Sequence, residues 1–291
     1  MNDIAGSPSG AESSVHVVKG PRSAHARPGY RWRVSLPAVR LHMFSTGSMT
    51  SPLGGMLEGE PGDLTYPVPV FLIEHPEGLV AVDTGLHPDL AQDSARLGPL
   101  AAVFRVHLPA DGTGTAGALL RTAGFDPAAV DQVILTHLHF DHAGGLAEFP
   151  NARLVIQAQE WAARHDDAMV RSGAYNPNDV NHGHDRSEID GDHDLFGDGT
   201  VTCLLTDGHT AGHQSVRVRT ETGIFVICGD CCYLRRTLLE EHLPPFGVNR
   251  KRQRAALRRM AAEAARGATL IFGHDPEQWD TINRHGLTTG L

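Results

Sequence analysis

Residues 134–145 read ILTHLHFDHAGG, placing three histidines and an aspartate inside six positions directly after an apolar run. The run DQVILT (131–136) has the composition of a buried strand. If the backbone stays extended beyond it, the imidazoles of His137 and His139, two residues apart, point the same way and can share one cation. Asp141 and His142 follow where the chain turns toward a short helix expected near Ala143. That turn aims a carboxylate and a third imidazole at a neighbouring point, where a second cation fits. A lone histidine is ordinarily a surface residue or a hydrogen-bonded core residue, but four ligand-type residues in six positions are not explained that way.

A hydrolytic two-metal site needs further ligands, and the rest of the chain offers them. TDGHTAGHQS (206–215) sets His209 in a glycine-flanked loop after an expected strand. VICGD (226–230) ends another strand on Asp230, whose two oxygens can bridge two ions. LIFGHD (270–275) ends the last strand with His274. Each candidate terminates a strand, and α/β sites gather at strand ends.

The wider pattern supports that placement. Strands are expected near 68–74 and 78–83, forming a hairpin around Pro76 and Gly78 that ends in Asp83, Thr84 and Gly85. A helix is expected over 115–125, a strand over 153–157 and a helix over 158–165. Further strands are expected near 200–206, 214–219, 223–229 and 268–272, with a helix over 249–266. Residues 86–112 show no clear period, and 166–198, rich in Asp, His, Gly and Asn, read as a long flexible surface excursion. Two successive runs of strands, each followed by helix, predict an α/β fold: a four-layer αββα sandwich of two mixed sheets with outer helices. A single domain over 31–291 is expected behind a flexible, Ser-, Gly- and Pro-rich arm over 1–30.

Composition excludes some roles. A formal charge of −9 gives no basic face for a phosphate backbone, so nucleic acid is not an expected partner. No run approaches the roughly 20 apolar residues that span a bilayer, and the N-terminal stretch has no signal-peptide apolar segment. The expected location is therefore cytoplasmic, with no stable membrane insertion. Four cysteines, Cys203, Cys228, Cys231 and Cys232, read as reduced buried thiols rather than a disulfide framework. The basic run 249–267 reads as a solvated helix face.

The order H-x-H-x-D-H, then G-H-T-x-G-H, then an aspartate, then G-H-D resembles the metallo-β-lactamase superfamily over roughly residues 40–280. The resemblance implies that His137, His139 and His209 hold one zinc, that Asp141, His142 and His274 hold the other, and that Asp230 bridges them. It implies supporting roles, not ligation, for His213 and Asp83. Within the superfamily, HLHFDHAGG, DCCY, LPPFGVNRKRQ (243–253) and FGHDPEQW (272–279) are similar to the N-acyl homoserine lactonases. That implies a quorum-quenching lactonase using two divalent ions, with a small-molecule lactone as partner and Tyr233 contacting the lactone oxygens. Asp141 is expected to pass a proton to the leaving alkoxide. Stretch 44–60 loosely resembles a loop that contributes dimer contacts in such lactonases, which leaves a homodimer open. Another lactone or ester substrate is the nearest alternative, because ligands fix the reaction and loops fix the substrate. An iron-dependent redox member is disfavoured, since His139 stands where those proteins commonly carry glutamate and no flavin module follows.

Overall fold

The computed structural model describes residues 38–285; the expected arm over 1–30 lies outside them. Its central feature is a pair of sheets whose strands alternate side chains between two cores. In the first sheet, β1 (Arg40–Pro52) pairs antiparallel with β2 (Asp63–His75), and β2 with β3 (Gly78–Val82). Next to β3 lie β5 (Gln132–Ile134), β6 (Arg153–Gln157) and β7 (Arg186–Ile189), all parallel, while the short β4 (Arg105–His107) closes the other edge against β1. The order is β4-β1-β2-β3-β5-β6-β7.

The second sheet runs β12-β11-β10-β9-β8. It contains β8 (His193–Asp194), β9 (Val201–Leu205), β10 (Gln214–Arg219), β11 (Ile224–Ile227) and β12 (Thr269–Ile271). Only β11 and β12 pair in parallel. Both sheets are mixed, as expected.

The strand period of two sorts the core. Phe71, Ile73, Val80, Val82, Ile134 and Val155 face the second sheet and meet its Val201, Cys203, Val216, Val218, Ile227 and Ile271. Their neighbours Val70, Leu72, Ala81, Val133, Leu154 and Ile156 face the opposite way, onto Ala116 and Leu120 of α1 (Ala116–Thr122). Leu204, Val226 and Leu270 turn their backs on the first sheet and pack on Ala256, Leu257 and Met260 of α6 (Arg250–Ala265). The result is the expected αββα layering. The remaining helices are α2 (Phe140–Ala143), α3 (Ala158–Ala163), α4 (Asp167–Ser172), α5 (Arg235–Leu239) and α7 (Pro276–His285). None among the described residues is long and apolar enough to cross a membrane.

The structure departs from expectation in two places. β1 has no counterpart among the expected strands, because its Ser, Thr and Gly content hides the alternation; the partner β2 holds it through backbone pairing, with a register shift between Ser45 and Ser48 around Gly47. Residues 166–198 are not a structureless excursion: they contain α4, a 3-10 turn over Pro177–Val180, and the edge strands β7 and β8. An edge strand needs one paired side and one apolar face at most, so β7 exposes Arg186 and Glu188 and buries Ile189.

Candidate metal centre

Every ligand candidate leaves the sheets at a strand end. His137 and His139 follow β5, Asp141 and His142 sit on α2, His209 lies between β9 and β10, Asp230 follows β11 and His274 follows β12. Two groups result: His137, His139, His209 and Asp230 in one, Asp141, His142 and His274 in the other, with ligand-type atoms inside each group all within 4.8 Å of one another. All are buried except the partly exposed His139.

Asp230 joins the groups. Its Oδ2 lies 3.5 Å from His137 Nε2 and 3.4 Å from His209 Nε2, while its Oδ1 lies 3.2 Å from both His142 Nε2 and His274 Nε2. Asp141 Oδ2 stands 3.8 Å from His142 Nε2 and 3.7 Å from His274 Nε2. His139 turns its Nδ1 inward, 3.1 Å from His209 Nε2.

Hydrogen bonds on the far side of the rings fix which nitrogen carries a lone pair. His142 Nδ1–H donates to Asp83 Oδ2 at 2.8 Å. Thr136 donates its N–H to Asp83 Oδ1 at 2.7 Å and its hydroxyl to Oδ2 at 2.9 Å. The hydroxyl proton being committed, Thr136 Oγ1 accepts from His137 Nδ1–H at 3.0 Å. One carboxylate therefore orients two imidazoles, and it does so from a left-handed backbone position, φ 57° at Asp83. His274 Nδ1–H donates to the Pro67 carbonyl at 2.9 Å. In each ring Nε2 is the atom left facing Asp230. His213 is arranged differently: its Nε2 accepts the Asp230 backbone N–H at 2.9 Å and its Nδ1 meets Thr206 Oγ1 at 2.9 Å. That ring positions Asp230, and Gly229 beside it has φ 58° and no Cβ to strike the imidazole.

The donor set fits divalent cations. Among the described residues, His137 Nε2, His142 Nε2 and Asp230 Oδ1 are buried with no hydrogen-bond partner, a costly state for polar atoms unless another group satisfies them. Burial pushes His137 and His209 well below the ordinary imidazole range, His139 to about 4 and His213 to about 3, so all four stay neutral and able to donate lone pairs near pH 7. Burial opposes charge on His142 and His274 too, yet Asp230 and Asp141 hold both rings above their usual values. The Asp230 carboxyl, despite burial, is held well below the carboxylate range by His142, His274 and His137. Such a field attracts positive charge. Imidazole and carboxylate donors without a thiolate suit zinc-like ions; the four cysteines are buried and free, and none belongs to either group.

A cavity of about 550 Å³ opens onto the centre. Asp141, Tyr233, His139 and His274 line its floor, and Met56, Leu100, Phe104, Met169 and Phe246 give apolar walls. Tyr233 lies fully inside, its hydroxyl 3.4 Å from His209 Nδ1 and its ring stacked 5.7 Å from His274. Burial holds the phenol well above its ordinary pKa, so it remains a donor.

A profile of the metallo-β-lactamase superfamily matches residues 64–274, the span that carries both groups. The chain belongs to the metallo-β-lactamase superfamily. It is 32% identical over 259 residues to an N-acyl homoserine lactonase of Azorhizobium caulinodans, covering 84% of this chain and 97% of that protein. A lactonase of the same name from Rhizobium johnstonii is 31% identical over 262 residues, with 84% and 97% covered. The solved structure of an N-acyl homoserine lactone hydrolase with N-hexanoyl-L-homoserine at its catalytic metal centre is similar at TM-score 0.75, covering 84% of this chain and 96% of that one at 24% identity, a likeness of fold. Within the matched span, the seven candidates form a dimetal-type His/Asp site.

Several site-building residues lie outside the sequence expectations. Thr136 bonds the His137 ring, Thr206 the His213 ring and Glu160 the Leu138 N–H between two candidates, and Leu100, Phe104 and Met169 wall the cavity from the two stretches without a readable period. Leu100 lies in a 3-10 segment broken at Gly98, Phe104 in the irregular chain just after it and Met169 in the six-residue α4, all too short or irregular to leave a repeat in the sequence.

Proposed function

We propose that this chain is a dinuclear metal lactonase that hydrolyses the ring ester of N-acyl homoserine lactones, and that zinc is its metal. The observation that carries the reading is Asp230, one oxygen turned to His137 and His209 and the other to His142 and His274. Two divalent cations so placed acidify bound water toward neutral pH and polarise an ester carbonyl.

The chain's own groups supply the rest. The Tyr233 hydroxyl, kept protonated by burial, donates to the oxygen that gains charge as the carbonyl becomes tetrahedral. Asp141, at the cavity floor, accepts the proton of the attacking water and returns it to the ring oxygen as the ester opens. The apolar walls take the acyl chain and keep bulk water from the reacting centre. The relatives' names agree with that substrate. We place the enzyme in the cytoplasm, where buried free thiols such as these persist.

The test is hydrolysis of a panel of N-acyl homoserine lactones and simple lactones, followed by proton release with and without a chelator. Chelator-sensitive turnover that favours acyl homoserine lactones is expected. Turnover of simple lactones alone would move the substrate, and turnover indifferent to complete metal removal would end the reading.

A further inference from the structure

Glu160, on α3, has no role in the chemistry above, yet its side chain is fully buried and, among the described residues, no cation figures among the groups that act on it. Both of its oxygens nevertheless accept hydrogen bonds. Oε1 accepts the Leu138 N–H at 3.0 Å and the Tyr175 hydroxyl at 2.5 Å, and Oε2 accepts the Gly212 N–H at 2.8 Å. Leu138 is the residue between His137 and His139, and Gly212 sits in the loop between His209 and His213. Tyr175 belongs to the segment that walls the cavity: its backbone bridges to His139, and the Ala174 carbonyl accepts the Phe140 N–H at 3.1 Å.

These contacts place one carboxylate across three chain segments that are far apart in sequence. The loop bearing His209 cannot shift without breaking the Oε2 bond, nor the His137–His139 turn without breaking the bond to Oε1. The loop also approaches α3 so closely that a Cβ on Gly212 would lie 2.5 Å from the Glu160 backbone nitrogen, so the packing is specific to glycine.

We propose that Glu160 is a positioning residue: it fixes the His209 loop against the His137–His139 turn and thereby sets how tightly the first group of ligands holds its ion. This rests on the two-cation reading above. The second group, Asp141, His142 and His274, is oriented from Asp83 and Pro67 instead, so it does not depend on Glu160.

Glu160→Gln separates this from a general structural role. An amide keeps one oxygen, which can still accept from Leu138 and Tyr175, but it sets an NH2 against the Gly212 N–H, two donors facing each other. Wild type and E160Q are loaded with zinc, dialysed against a graded chelator series, and assayed for ion content, unfolding temperature of the metal-free form, and lactone hydrolysis with and without added zinc. The expected result is that E160Q loses one of its two ions at roughly 10- to 100-fold lower chelator strength, the usual range for a residue that orients ligands. Its metal-free unfolding temperature should stay close to wild type, and excess zinc should restore activity. Equal retention of both ions in the two proteins overturns the proposal, as does simultaneous loss of both ions with a large fall in unfolding temperature, which marks a structural role. Tyr175→Phe is the control that removes one donor but leaves both loop N–H groups held; retention of both ions at wild-type strength supports the proposal, and loss equal to that of E160Q overturns it. Failure of wild type itself to bind two ions would count against the two-cation reading instead.

Discussion

Replacing Asp83 with asparagine gives the sharpest consequence of the hydrogen bonds around the centre. Asp83 accepts three bonds, from the Thr136 N–H, the Thr136 hydroxyl and His142 Nδ1–H. Asparagine has one acceptor oxygen and two amide protons. If the oxygen faces His142, the NH2 opposes the Thr136 N–H. If it faces Thr136, the NH2 meets His142 Nδ1, which must become an acceptor. The His142 proton then moves to Nε2, the atom 3.2 Å from Asp230 Oδ1, and that ring can no longer offer a lone pair there. Either arrangement strands one buried donor or misassigns one ligand, a cost of about 1–3 kcal/mol. At about 1.4 kcal/mol per decade, ion affinity at the Asp141, His142 and His274 group should fall about 10- to 100-fold. The backbone should tolerate the change, because asparagine accepts the φ of 57° found at Asp83. Chelator competition reads the affinity, and circular dichroism of the metal-free protein reads the fold. An Asp83→Asn protein that stays folded and holds both ions at wild-type strength would refute this account of ligand orientation.

Tyr233→Phe should keep both ions and lower kcat by about 10²- to 10³-fold, the range for losing one donor to a developing oxyanion; steady-state kinetics with metal analysis check both halves. Phe104→Ala should raise KM for long-chain substrates about tenfold and leave short-chain ones near wild type, because an acyl chain loses about 0.8 kcal/mol for each methylene no longer covered; a decanoyl and butyryl pair measures it. Asp179, paired with Arg96, is pushed up to about 6 by burial. The folded chain therefore holds that proton more tightly than the unfolded chain, and stability contributed at this site is lost as pH rises from about 4 to about 6. Denaturant unfolding of wild type and Asp179→Asn should show wild type losing ground across that window; a difference independent of pH contradicts it.

The seven ligand candidates were legible because strand ends and metal ligands are both local signals: VILTHLH, VICGD and LIFGHD each join an apolar run to a donor. β9 to β12 of the second sheet and α6 were legible for the same reason, since their buried residues recur at fixed intervals, whereas the two-residue edge strand β8 was not. β1 was not, because pairing with β2 rather than its own side chains makes it a strand. Nor was Glu160: an acid in AQEWAARH looks solvent-facing until the His209 loop is folded onto it. The cavity walls escaped because Leu100, Phe104 and Met169 converge only through tertiary packing, including the Arg96–Asp179 pair that ties their segments together.

The central claim is a pair of cations held on either side of Asp230. Anomalous diffraction from zinc-loaded crystals tests it most directly. Two peaks are expected, one among His137, His139 and His209 and one among Asp141, His142 and His274, with Asp230 between them. A single peak, or two that leave Asp230 outside the pair, would contradict the account.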